Sequence, residues 1–140
     1  MSAPGGRILV PIDDSPHARH ALAHALTVAR EIHIVNVQPK ADAPALLLHM
    51  TQDQIDAAQR QHGEEALAAA CKRLDETGRT YRRHVLIGDP ASEIARVARE
   101  EKVDGIVMGT RGMSAIGNLL LGSTATRVVH LADVPVTLVK

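Results

Sequence analysis

Short aliphatic runs alternate with stretches of helical periodicity along this chain. Five segments read as strands: residues 7–12, 32–37, 81–87, 105–108 and 134–139. The first and fourth are continuous apolar runs rather than alternating ones, the pattern of strands covered on both faces in a parallel sheet. The third carries polar residues at Arg82, Arg83 and His84. Four helical patterns lie between the strands. The first opens on Ser15 as N-cap with Pro16 at the first helical position, and Ala18, Ala21, Leu22, Ala25, Leu26 and Ala29 form its apolar stripe. The second spans residues 52–77, with Ile55, Ala58, Leu67, Ala70, Cys71 and Leu74 on its stripe and Gly78 placed to end it. The third starts near Pro90 and the fourth at Ser123. Strict alternation of strand and helix predicts an α/β domain with a doubly wound parallel sheet, one domain over residues 1–140. Residues 38–51 are the one long irregular stretch, of the kind that often forms a lid or binding loop.

Composition narrows the function. The 140 residues include no Trp, no Phe and one Tyr, Tyr81. The core must be aliphatic, and the chain lacks the aromatic platforms on which single-stranded nucleic acid stacks. Sixteen basic residues balance sixteen acidic ones, so no bulk charge draws the chain to nucleic acid or to an anionic membrane. The longest pure aliphatic runs, such as Leu119-Leu120-Leu121, are far too short to span a bilayer. One cysteine excludes an internal disulfide, and no secretory signal pattern is present. A cytoplasmic protein is expected.

In open α/β sheets, ligands bind beyond the carboxyl ends of the strands, where strand order reverses. After the first strand comes Asp13-Asp14-Ser15. This loop has no glycine, which suits an Asp accepting hydrogen bonds from ribose hydroxyls better than it suits a phosphate. After the fourth strand comes Gly109-Thr110-Arg111-Gly112, then nine residues, then Gly122-Ser123-Thr124 at a helix start. Glycines at 109 and 112 would let the backbone approach a ligand closely. The free N–H groups and hydroxyls at residues 122–124 are suited to an anion. No Walker A loop and no G-x-G-x-x-G occurs. These spacings alone leave nucleotide binding and ordinary turn chemistry both open.

Val10-Pro11-Ile12-Asp13-Asp14-Ser15, Gly88-Asp89-Pro90, the run from Asp104 to Gly112, Gly122-Ser123 and Pro135-Val136 occur in that order. Together they resemble the universal stress protein family over nearly the whole chain. The G-x2-G-x9-G-[ST] segment from Gly109 to Ser123 is the most specific part, and in that family it marks the ATP-binding subclass. The resemblance implies five parallel strands in the order 3-2-1-4-5 with helices on both faces. It implies an adenine mononucleotide, ATP with Mg²⁺, bound at the strand ends. Asp13 would bind ribose, Pro11 and Ile12 would shape the base pocket, and the backbone at Val37 would meet the adenine edge. Met108 and Gly109 would line the sugar. Gly112, Gly122, Ser123 and Thr124 would hold the phosphates, with Arg111 nearby. It also implies a homodimer through the strand at residues 134–139, whose apolar edge invites a second strand. Two departures stand out. The link Arg30-Glu31 is short and lacks the glycine often present, and Asn118 stands where a basic residue is frequent.

A hydrolase needs a positioned base and strong charge stabilisation at the γ-phosphate. With no Walker lysine, binding with slow or negligible turnover is expected. A dimeric interaction protein without nucleotide, and a slow ATP hydrolase, remain the alternatives. His17, His20 and His24 share a helix face but have no acidic or cysteine partner in sequence, so exposed histidines are expected there rather than a metal site. Cys71 reads as a small core residue rather than a reactive thiol, and Leu119 to Leu121 as loop packing or a dimer contact.

Overall fold

The structure is a computed structural model describing residues 6–40, 49–111 and 121–140. Five strands form one sheet: β1 (Arg7–Pro11), β2 (Glu31–Gln38), β3 (Tyr81–Ile87), β4 (Gly105–Gly109) and β5 (Val136–Val139). All neighbours pair in parallel, in the order β3-β2-β1-β4-β5. Four helices connect them: α1 (Pro16–Val28), α2 (Gln52–Thr77), α3 (Pro90–Glu100) and α4 (Ser123–Leu131). The expected elements are all present. β1 ends one residue earlier than expected and β5 starts two residues later, after Pro135, which has no N–H to give the ladder.

Alternation along the strands divides the core in two. Val10, Ile12, Ile32 and Ile34 pack with the apolar stripes of α1 and α2. Leu9, Val35, Ile106 and Met108 pack with α3 and α4. Leu9, Val10, Ile32, Ile34, Leu67, Leu74 and Ile106 are completely buried. Each contributes about 1.5–3 kcal/mol by leaving water. Cys71 and Tyr81 pack at the margin of the first cluster, as a core role for Cys71 requires. The Tyr81 hydroxyl donates to Asp75 Oδ1 at 2.7 Å. This bond, followed by burial, pushes the phenol up to about 12.

At the amino ends of the strands a polar chain crosses three of them. Arg7 Nε donates to Glu31 Oε2 at 2.9 Å, Glu31 Oε1 lies 3.2 Å from His33 Nε2, and His33 Nδ1 lies 3.1 Å from His84 Nε2. His33 is 1% exposed, and its ring stacks on that of His84 with centroids 5.4 Å apart. Burial first, then the facing His33, holds His84 below the usual imidazole range. The Arg7 hydrogen bond holds the Glu31 carboxyl below its usual range.

Candidate functional site

Strand order reverses between β1 and β4, and there the loops after the two strands diverge over the carboxyl edge of the sheet. A cavity of about 570 Å³ opens at this point, within the span of roughly 300–1,000 Å³ usual for small-molecule sites. From the end of β1 it is lined by Pro11, Ile12 and Asp13, from β2 by Val37, and from β4 by Met108, Gly109 and Arg111. Gly122, Ser123 and Thr124 close it from the start of α4. Val37 thus stands at the cavity wall despite the short Arg30-Glu31 link. Gly112, Gly117, Asn118, Leu119 and Leu120 lie outside the described residues, as do residues 41–48 of the expected lid.

The Asp13 loop is built by its own hydrogen bonds. Ser15 N donates to Asp13 Oδ1 at 3.0 Å, and Ser15 Oγ accepts from Ala18 N at 3.1 Å, capping α1. Asp14 takes a left-handed φ of 62°, a conformation in which Asp is enriched. The turn holds Asp13 in the cavity lining.

The opposite wall is a helix start. Gly122 is the N-cap of α4, with no side chain capping it. Its own N–H donates to Thr110 O at 2.6 Å, and Thr110 N to Val139 O at 2.9 Å. The first amides of α4 thus face the cavity without a side-chain oxygen from the cap, and the helix dipole favours an anion before them. Among the described residues Arg111 is the one cationic side chain in the lining. Asp89, N-cap of α3, receives Arg127 NH1 at 2.6 Å, which ties the two helices of this face together. That bond, with Ser92 next, holds the Asp89 carboxyl well below the carboxylate range.

One expectation, an exposed His17, is corrected. Gly109 lines the cavity and also serves the fold, since a Cβ there would lie 2.6 Å from His17 Cβ and 2.9 Å from the His17 backbone carbon. α1 crosses β4 at this point. His17 is accordingly half-buried rather than exposed, while His20 and His24 are exposed. His20 Nδ1 lies 2.9 Å from Lys140 O. Among the described residues no three His, Cys, Asp or Glu side chains gather to hold a metal.

The sequence reading passed over Asn36, Gln38, Ala66 and Ile94, which also line the cavity. Asn36 is 4% exposed; its Nδ2 donates to Ile12 O at 2.8 Å, and its Oδ1 accepts from Gln38 Nε2 at 2.8 Å. Among the described residues no helix is long and apolar enough to cross a membrane.

The model of the universal stress protein family matches residues 6–140. Universal stress protein MJ0531 of Methanocaldococcus jannaschii is 36% identical, covering 96% of this chain and 81% of its own. A universal stress protein of Thermus aquaticus is also 36% identical, over 95% of this chain and 97% of its own. Among solved structures, protein MJ0577 of M. jannaschii superposes with a TM-score of 0.84 at 25% identity, covering 99% of this chain and 97% of that one. Two more distant structures share the fold at a TM-score of 0.68. One is a universal stress protein in complex with cAMP, 20% identical over 99% of both chains. The other is an Arabidopsis thaliana family protein with AMP bound, 19% identical over 96% of this chain and 91% of that one.

Proposed function

This chain belongs to the universal stress protein family, and from that premise we propose that it is a regulatory or protective module that binds an adenine mononucleotide, ATP with Mg²⁺, in the cavity at the strand ends. The observation that carries this reading is the convergence of three unlike features on one cavity: the Asp13 carboxylate, the Gly109–Arg111 ridge and the amide end of α4. A ribose offers hydroxyl donors to the first, and phosphates offer oxygens to the last. Family structures complexed with cAMP and AMP support an adenine nucleotide as the ligand class.

Ligand polarity follows from the order of the strands. The anion-favouring end belongs to β4 and α4, Asp13 follows β1, and the far wall belongs to β2. Two strand spacings cover about 9–10 Å, the reach from a nucleotide's phosphates across its ribose to its base. The base then lies between the aliphatic side chains of Ile12 and Val37, and Mg²⁺ travels with the phosphates that it neutralises. Binding, rather than turnover, is the activity proposed. The proposal extends to a homodimer through the strand at residues 134–139, since β5 ends the sheet.

The test separates binding from folding. Asp is a better N-cap than Gly by a few tenths of a kcal/mol, and Gly122 sits at φ −69°, ψ 163°, open to any residue. Gly122→Asp therefore keeps or slightly raises stability, while its carboxylate competes for the α4 amides and repels phosphate. Titration calorimetry with ATP and Mg²⁺ should show wild-type binding and a loss of about tenfold or more in the variant. Absence of ATP binding by the wild type, or unchanged affinity in Gly122→Asp, would overturn the reading.

A further inference from the structure

We infer that Asn36 and Gln38 form an amide relay that selects a purine bearing a 6-amino group over one bearing a 6-oxo group. The inference rests on the proposed nucleotide site and assigns its base specificity to two side chains.

An amide side chain has a donor end and an acceptor end, and only its hydrogen-bond partners say which faces where. Here a backbone group settles the matter. The Ile12 carbonyl can only accept, so the group 2.8 Å from it must be Asn36 Nδ2. Asn36 Oδ1 then faces Gln38, and an acceptor there requires the donor end of Gln38, Nε2, at 2.8 Å. Gln38 is thus tethered by its nitrogen, which leaves Oε1 as the acceptor end of a residue that lines the cavity.

The relay cannot turn over cheaply. Asn36 is 4% exposed, and reversing its amide would set its oxygen against the Ile12 carbonyl in a site where an unmade hydrogen bond is costly. Ile12 is itself held by its N–H to Val35 O at 2.8 Å, and Gly88 N holds Gln38 O at 2.9 Å. Helix α2 presses on the same amide: a Cβ on Gly63 would stand 3.1 Å from Asn36 Oδ1.

Gln38 belongs to β2, the wall where the strand order puts the base. An oxygen facing position 6 accepts from the amino group of adenine and opposes the oxygen of hypoxanthine or guanine. Asn36 is a positioning residue, and Gln38 is the group that touches the base.

The experiment compares ATP, ITP and purine riboside triphosphate, which has no substituent at position 6, on the wild type and on Gln38→Met. Gln38 is only half-buried, so the variant is expected to fold, as circular dichroism checks. The wild type should favour ATP over both analogues by about tenfold, and Gln38→Met should bind all three within about threefold. A wild type that binds ITP as tightly as ATP overturns the relay, as does a variant that binds ATP with the preference intact, and both leave the site standing. A wild type that binds none of the three overturns the site and the relay together. A merely structural Gln38 would shift stability and all three affinities alike, without changing their ratio.

Discussion

Two glycines show how single positions are decided by neighbours distant in sequence. Gly63 lies in the interior of the 26-residue α2, where by propensity alone Ala would be better by about 1 kcal/mol. Yet a Cβ there would stand 2.5 Å from Val85 Cγ1, a β-branched side chain with little freedom to turn away. Gly63→Ala should therefore destabilise the protein, by about 1–3 kcal/mol, against its helix propensity. Gly109→Ala meets the backbone of His17 instead of a flexible side chain and should cost a similar amount, about 1–3 kcal/mol. Urea denaturation reads both, and a midpoint at or above the wild-type value in either variant would contradict the close packing of that helix on the sheet.

At the scale of elements, the start of α2 is held by a reciprocal cap. Thr51 Oγ1 accepts from Gln54 N at 3.2 Å, and Gln54 Oε1 accepts from Thr51 N at 2.9 Å. Thr51→Ala should lower stability by about 1 kcal/mol with the denaturant slope unchanged. The strands carry a pH dependence of their own. His84 on β3 faces His33 of β2, Arg82 of its own strand and Glu101 after α3, and in the folded state its value is lowered from 6.5. As pH falls below 6.5 the unfolded chain takes up this proton first. The stability from His84 is intact above that value and is lost as pH falls through the lowered one. Urea midpoints should fall as pH drops below about 6.5, and midpoints that rise on acidification would show that His84 is not held neutral.

The whole molecule bears on assembly and on how much the sequence could foretell. Pro135 and Val139 turn their carbonyls to β4, as the bonds from Ile106 N and Thr110 N show. Backbone groups alternate along a strand, so those of Val136 and Leu138 point outward. Leu138→Pro removes one outward donor and leaves the bonds to β4 in place. The proposed dimer should then fall from twice the 15.0 kDa chain mass to the monomer, as light scattering reads. A wild type that is already monomeric ends the idea. The parallel strands and the place of the cavity were legible because continuous apolar runs such as Leu9-Val10 and Ile106-Val107 announce buried parallel strands and the glycine and Asp loops follow them directly, whereas the order of the strands came only with the family resemblance. Asn36 and Gln38 were not legible. Asn36 reads as an ordinary polar interruption of an apolar strand, and Gln38 as the first residue of the irregular stretch although β2 extends through it; their meaning depends on a carbonyl 24 residues from Asn36. Gly109 lines the cavity as its place after β4 suggests, but its close approach to His17 was not legible, because spacing along β4 says nothing of where α1 crosses it.

The single phenol of Tyr81, bound to Asp75 at the edge of an otherwise aliphatic core, makes this a nearly dark protein in the near ultraviolet. Adenine absorbs more strongly than one tyrosine. The absorbance spectrum of the purified chain would therefore be dominated by whatever base it carries, and the ratio of base to phenol absorbance would count occupancy without a label. The same lone ring is an optical reporter for the end of α2, because transfer of its proton to solvent at high pH must first break the bond to Asp75.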